Sequence, residues 1–141
     1  MALLKVVLDA NVIVSAIFGG YPRKALLKAL TECKLYYNED IEQELNLLTD
    51  ELRHKLTPKE RKEFKNIIKE ILSFGEKVQT TRKLPISRDT KDNSYLETCL
   101  EVEADFLITG DRDLLEIPKE KLEDLSNLKI IKPRQFVEDV S

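Results

Sequence analysis

Leu3-Leu4-Lys5-Val6-Val7-Leu8-Asp9-Ala10-Asn11 and Ala104-Asp105-Phe106-Leu107-Ile108-Thr109-Gly110-Asp111 decide the reading of the fold. Each is a short apolar run stopped by an acid. The first run is interrupted only by Lys5, which suits a strand buried on both faces of a sheet. A carboxylate at the end of a buried strand costs free energy unless it is paired or meets a cation. Two such acids far apart in sequence, with others near the ends of further apolar runs, can converge on one sheet edge as an oxygen-rich cage. Hard cations such as Mg²⁺ and Mn²⁺ favour cages of that kind.

Outward from these runs, strands and helices alternate. Asn11 to Phe18 reads as a helix stopped by Gly19-Gly20, and Pro22 suits the start of a second helix with Ala25, Leu26, Ala29 and Leu30 on its apolar face. Lys34 to Tyr37 is a second strand. Asn38 or Asp40 can cap a helix carrying Ile41, Leu45, Leu48 and Leu52 on one side. Thr57-Pro58-Lys59-Glu60 has the layout of a capping box with proline at the first helical position, and this helix runs to about Phe74 before Gly75. Lys77 to Thr81 is a weak third strand, followed by a polar loop from Thr81 to Lys91. Asp92 to Glu103 reads as a helix, Ala104 to Ile108 as the fourth strand and Leu128 to Ile131 as the fifth, with a terminal helix opening at Pro133. This alternation implies an α/β fold, a parallel sheet with helices on both faces. In such sheets the functional site lies beyond the carboxyl ends of the strands, where Asp9 and Asp111 fall.

Composition sets the outer bounds. A chain of 141 residues with 42% hydrophobic and 35% charged residues reads as one domain, residues 1–141, with a real core and a charged surface. The balance of 23 basic against 26 acidic residues, net −3, argues mildly against a nucleic-acid binder, but bound cations at a carboxylate cluster reverse the local field. The two cysteines, Cys33 and Cys99, form no Cys-x-x-Cys motif, which argues against a structural zinc or a disulfide framework and fits two buried, reduced thiols. No apolar run approaches the roughly 20 residues of a membrane span, and the N-terminus lacks a signal-peptide layout, so a cytoplasmic location is expected.

Taken singly, the acids admit two readings each. Asp9 is a metal ligand or the N-cap of the helix that follows, and Asn11 could take the capping role instead. Glu44 adjoins the inward Leu45 and lies one turn from Ile41, at the edge of a buried face, although a glutamate in a charged helix is usually solvated. Asp89 and Asp92 lie three apart at a helix start. One can cap, and the other, preferably Asp92, can face a metal. Asp111 follows Thr109-Gly110, where Gly110 permits a tight turn and the Thr109 hydroxyl can bond a carboxylate. Asp113 can cap or assist.

In Val6 to Ser15, Ile41 to Leu45, Asp89 to Leu96 and Ala104 to Leu115, order and spacing resemble a PIN domain over about residues 4 to 137, closest to the prokaryotic branch of toxin–antitoxin systems. The resemblance implies a three-layer α/β/α sandwich around a parallel sheet of about five strands, and Mg²⁺- or Mn²⁺-dependent endoribonuclease action on single-stranded RNA. It also implies that Asp9, Glu44, Asp92 and Asp111 are the acidic, metal-binding quartet, with Asn11, Ser15 and Thr109 supporting them and Asp113 and Asp89 as further acids. A homodimer and an antitoxin partner are expected on the same ground.

Divalent cations activate water near neutral pH and stabilise a leaving oxygen, so this chemistry needs no histidine. The only one, His54, lies between two charges and reads as exposed. For the substrate backbone, Arg82, Lys83, Arg88 and Lys91 lie beside the acids, and Arg112 near a strand-end loop. The basic residues from Arg53 to Lys69 alternate with glutamates and read as a solvated helix face. Tyr21, Tyr36 and Tyr37 can stack on bases or pack in the core. Two other classes stay open. A haloacid-dehalogenase-like phosphatase would use Asp9 as nucleophile, but has Asp where this chain has Asn11. A non-catalytic scaffold could retain the fold.

Overall fold

The computed structural model describes residues 2–86, 90–125 and 127–140. Its centre is a five-stranded, all-parallel sheet in the order β3-β2-β1-β4-β5. The strands are β1 (Lys5–Leu8), β2 (Lys34–Tyr37), β3 (Glu76–Lys77), β4 (Phe106–Ile108) and β5 (Lys129–Ile131). Adjacent side chains on a strand point to opposite faces. Val6, Val7 and Leu8 are all buried, so both faces of the central strand are covered. Leu107 and Ile108 repeat the pattern on β4.

The helices are α1 (Ala10–Ser15), α2 (Gly20–Glu32), α3 (Glu39–Glu51), α4 (Pro58–Phe74), α5 (Thr90–Val102), α6 (Arg112–Leu115) and α7 (Pro133–Asp139). α5 packs across β1, β2 and β4 and against α3, while α2 packs against α1 and α7. The chain runs β1 to β2 to β3 in one direction, then returns through α5 to β4 on the other side of β1. The order therefore reverses between β1 and β4. Their carboxyl ends splay the following connections apart and leave the crevice where α/β proteins bind ligands.

Local signals explain most boundaries. Thr57 and Glu60 form the reciprocal capping box at α4, at 2.9 and 3.1 Å. Asn38, rather than Asp40, caps α3 by accepting the Ile41 N–H at 2.9 Å. α1 tightens into a 3₁₀ turn, Ala16–Phe18, before Gly19 takes a φ of 85°. α4 ends at Gly75, where a Cβ would sit 2.5 Å from the Ile71 carbonyl oxygen and 3.1 Å from the Tyr37 ring.

Two expectations need correction. The third strand is Glu76–Lys77 and not Lys77 to Thr81. It is an edge strand with both side chains exposed, so its pairing with Tyr36 and Tyr37 leaves no apolar signature. α5 starts at Thr90, two residues before Asp92, which places Asp92 inside its first turn. The stretch between β4 and β5, unassigned from sequence, holds α6 and a kinked 3₁₀ segment, Lys119–Leu125. Both cysteines are free and buried, as expected, and burial raises both thiol pKa values. No helix among the described residues is long and apolar enough to cross a membrane.

Candidate active site

Asp9 follows β1 directly and is 3% exposed. It caps α1: its Oδ1 accepts the Asn11 N–H at 3.1 Å, so Asn11 does not replace it in that role. Its Oδ2 accepts the Thr109 hydroxyl at 2.7 Å. Thr109 is fully buried at the end of β4 and also accepts the Asp111 N–H at 2.9 Å. One hydroxyl therefore joins the acids that end the two strands flanking the switch point. Asp111 is half-buried and caps the short α6 by accepting the Asp113 N–H at 2.9 Å.

Asp92 approaches from α5 and is 4% exposed. Asp92, Asp111 and Asp113 each present a ligand atom, and these atoms all lie within 4.8 Å of one another. Among the described residues this is the group of acids close enough to share one ion. Asp113, expected as an accessory, belongs to it. Asp9 adjoins it through Thr109 and through the charge of Asp111. Glu44, half-buried on α3, is tied to the site by Tyr95, whose hydroxyl donates to Glu44 Oε2 at 2.8 Å and accepts the Ala10 N–H at 3.0 Å. Asn11 and Ser15 are exposed on α1 and line a groove with Asp111. Asp89 and Arg88 lie outside the described residues.

Tyr95 was not anticipated as a site residue. It lies one helical turn after Asp92 and is 2% exposed, its ring in the core and its hydroxyl between Asp9 and Glu44. Burial, then the charges of Asp9 and Glu44, raise the Tyr95 pKa, so it stays a neutral donor. A second unanticipated link is the Ser94 hydroxyl, which donates to Asp40 at 3.0 Å and ties α5 to the start of α3.

The Asp9 pKa is raised above its ordinary 3.8, chiefly by burial. The bonds from Thr109 and Asn11 work against that rise, and the Asp111 charge adds to it. A divalent cation suits this arrangement. The donors are all oxygen, and oxygens bound to one ion at roughly 2.0–2.6 Å lie within about 5 Å of each other. A cation here also offsets the repulsion that raises Asp9.

The expected substrate contacts divide. Arg82 pairs with Asp124 at 3.3 Å and lines a cavity that does not include Asp9, Asp92 or Asp111. Lys83 and Lys91 share a cavity of about 430 Å³ with Asp40 and Ser94. Lys91 lines a further small cavity with Glu44. Arg112 is exposed and pairs with Glu116 at 3.3 Å. The loop carrying Lys83 is held by α5: Glu101, Glu97 and Asn93 accept the N–H groups of Thr81, Leu84 and Ile86 at 3.1, 2.8 and 3.2 Å. Tyr36 and Tyr37 are buried in β2 and pack in the core. His54 is exposed.

A family model described as PIN domain matches residues 5–113, from the start of β1 to Asp113. The chain belongs to the PIN domain family. Members are nucleases that generally use divalent metals. The match spans every acid of this PIN domain's candidate site. A search of curated proteins finds no match. Among solved structures, the chain is similar to one chain of VapBC2 from Rickettsia felis bound to a DNA fragment from their promoter. The TM-score is 0.58 at 14% identity, over 92% of this chain and 98% of that one. That likeness is one of fold, and it agrees with the PIN-like α/β architecture.

Proposed function

We propose that this PIN domain is a Mg²⁺- or Mn²⁺-dependent endoribonuclease that cleaves single-stranded RNA. The observation carrying the reading is the convergence of Asp92, Asp111 and Asp113 within 4.8 Å, beside the buried Asp9, at the switch point of the sheet. Asp92, Asp111 and Asp113 would hold the cation, and Asp9 and Glu44 complete the acidic set. When bound, the cation supplies activation of water near neutral pH and stabilisation of a leaving oxygen. The chain's own residues fix the carboxylates. Thr109 and the Asn11 amide orient Asp9, the Asp113 amide orients Asp111, and Tyr95 orients Glu44. With the acids so held, little reorganisation is needed as charge develops on a phosphodiester.

We read residues 1–141 as one catalytic domain, and as the toxin of a toxin–antitoxin pair acting in the cytoplasm. Support comes from the PIN family and from the shared fold with a chain of the VapBC2 complex. The partners on this reading are an RNA strand, an antitoxin protein and a second copy of the chain. The test is cleavage of a labelled single-stranded RNA with Mn²⁺, Mg²⁺ or EDTA, using wild type, Asp9→Asn and Asp111→Asn. Metal-dependent cutting that is lost in both variants supports the reading. Cutting that survives in both refutes the site, and no cutting with any metal refutes the activity on this substrate.

A further inference from the structure

A groove of about 900 Å³ opens beside Asp111, between the start of α2 and the start of α7. Among the described residues, Asp111 is the one acid in its lining, and every other charged residue there is basic: Arg112, Lys132 and Arg134. In a chain of net charge −3, three cations gathered in one groove are a segregation that composition does not predict. Arg112 and Arg134 each have a glutamate partner, Glu116 and Glu138, but both glutamates lie outside the lining.

The sheet itself places the middle cation. The Thr109 N–H donates to the Ile131 carbonyl at 2.9 Å, the last bond joining β4 to β5. Lys132 therefore leaves β5 at the level where Gly110-Asp111 leaves β4. Lys132 forms no ion pair among the described residues. Arg134 engages Glu138 through Nε at 3.4 Å, and its terminal nitrogens make no hydrogen bond among the described residues. The Tyr21 hydroxyl donates to the same Glu138. The half-buried Tyr21 ring lines the groove, with Arg134 Cζ 5.8 Å and Lys24 Nζ 5.4 Å from its centroid. Cations spaced along a groove beside an aromatic ring match what binds an unpaired strand: charge for the phosphates and a flat face for a base.

We infer that this groove seats the unpaired RNA segment next to the scissile phosphate, with Arg112, Lys132 and Arg134 on phosphate oxygens and a base against Tyr21. The inference rests on the nuclease reading and deepens it. It assigns the strand to the β5 side of the acids, in addition to the Lys83 and Lys91 side expected from sequence. Lys132 and Arg134 are positioning residues, since they bind the strand and do not touch the reacting atoms.

The test is fluorescence anisotropy of a labelled single-stranded oligoribonucleotide in EDTA, so that binding is read without cleavage. Lys132→Glu/Arg134→Glu is compared with Lys65→Glu/Lys69→Glu, an equal charge reversal on the exposed face of α4. The groove variant is expected to bind at least tenfold more weakly, and its log K against log salt slope to fall by about 1.4, roughly 0.7 per lost phosphate contact on a single strand. Tyr21→Ala is expected to weaken binding about tenfold. The α4 variant is expected to stay near wild type. Equal losses in the two charge variants, or none in the groove variant, overturn the assignment, as does failure of the wild type to bind the strand. Equal binding of a duplex overturns the role given to Tyr21. Groove-dependent binding without metal-dependent cleavage would instead sink the nuclease reading and leave the groove standing.

Discussion

Replacing Thr109 by valine removes one hydroxyl and almost no volume. That hydroxyl is fully buried, donates to Asp9 at 2.7 Å and accepts the Asp111 N–H at 2.9 Å. A hydrogen bond to a charged acceptor contributes about 1.5–3 kcal/mol, and stranding a partly buried N–H adds up to about 1 kcal/mol more. The expected loss of stability is therefore roughly 2–4 kcal/mol, a large share of what a domain of this size has. Thr109→Ser keeps the hydroxyl and loses a methyl, for about 1 kcal/mol. Urea unfolding in EDTA at pH 7 measures both. The pH dependence supplies a second readout. Burial raises the Asp9 pKa above 3.8, so the folded state holds that proton more tightly than the unfolded state. The Asp9 contribution is then fully favourable below the unfolded value and is lost as pH rises through the folded one. Thr109 opposes the rise, so Thr109→Val pushes the folded value higher and its deficit is larger at pH 7 than in acid. A valine variant within about 0.5 kcal/mol of wild type, a serine variant equally damaged, or a deficit that grows on acidification refutes the reasoning.

Two further predictions follow from single contacts. Tyr95→Phe removes the donor to Glu44 and strands the buried Ala10 N–H, so it should lose about 2–3 kcal/mol in urea unfolding and most of its metal-dependent activity. Glu103 ends α5 with a φ of 55°, where the Ala104 N–H closes back on the Cys99 carbonyl at 2.9 Å. Glycine has no steric penalty there, so Glu103→Gly should raise the urea midpoint, by about 1 kcal/mol in stability.

What was legible in the chain follows from which residues bury something. β1 and β4 were readable because Val6-Val7-Leu8 and Leu107-Ile108 are covered on both faces and must be apolar. α4 was readable because its capping box is local. β3 was misplaced because a two-residue edge strand with exposed side chains needs no apolar residue. α6 is four residues held by the Asp111 cap, too short to show a period. The acids that end strands, Asp9 and Asp111, could be located from their neighbours. The tie of Glu44 to them could not, since it is made by Tyr95 from another helix, and a tyrosine ring on an apolar face reads as core. Asp113 could be read from sequence as an accessory acid, but its place in the ion-binding group could not, since that depends on the turn after Gly110 bringing the exposed side chain beside Asp92.

The central claim is that these carboxylates form a divalent-metal centre, and Mn²⁺ titration by calorimetry tests it most directly. Wild type, Asp92→Asn and Asp111→Asn would be compared at pH 7, with urea midpoints confirming that each is folded. The account predicts saturable binding in the wild type and a loss of at least about tenfold in each variant, since each removes an oxygen donor that a hard cation needs. Binding of equal strength in all three, or no saturable binding in the wild type, would contradict it.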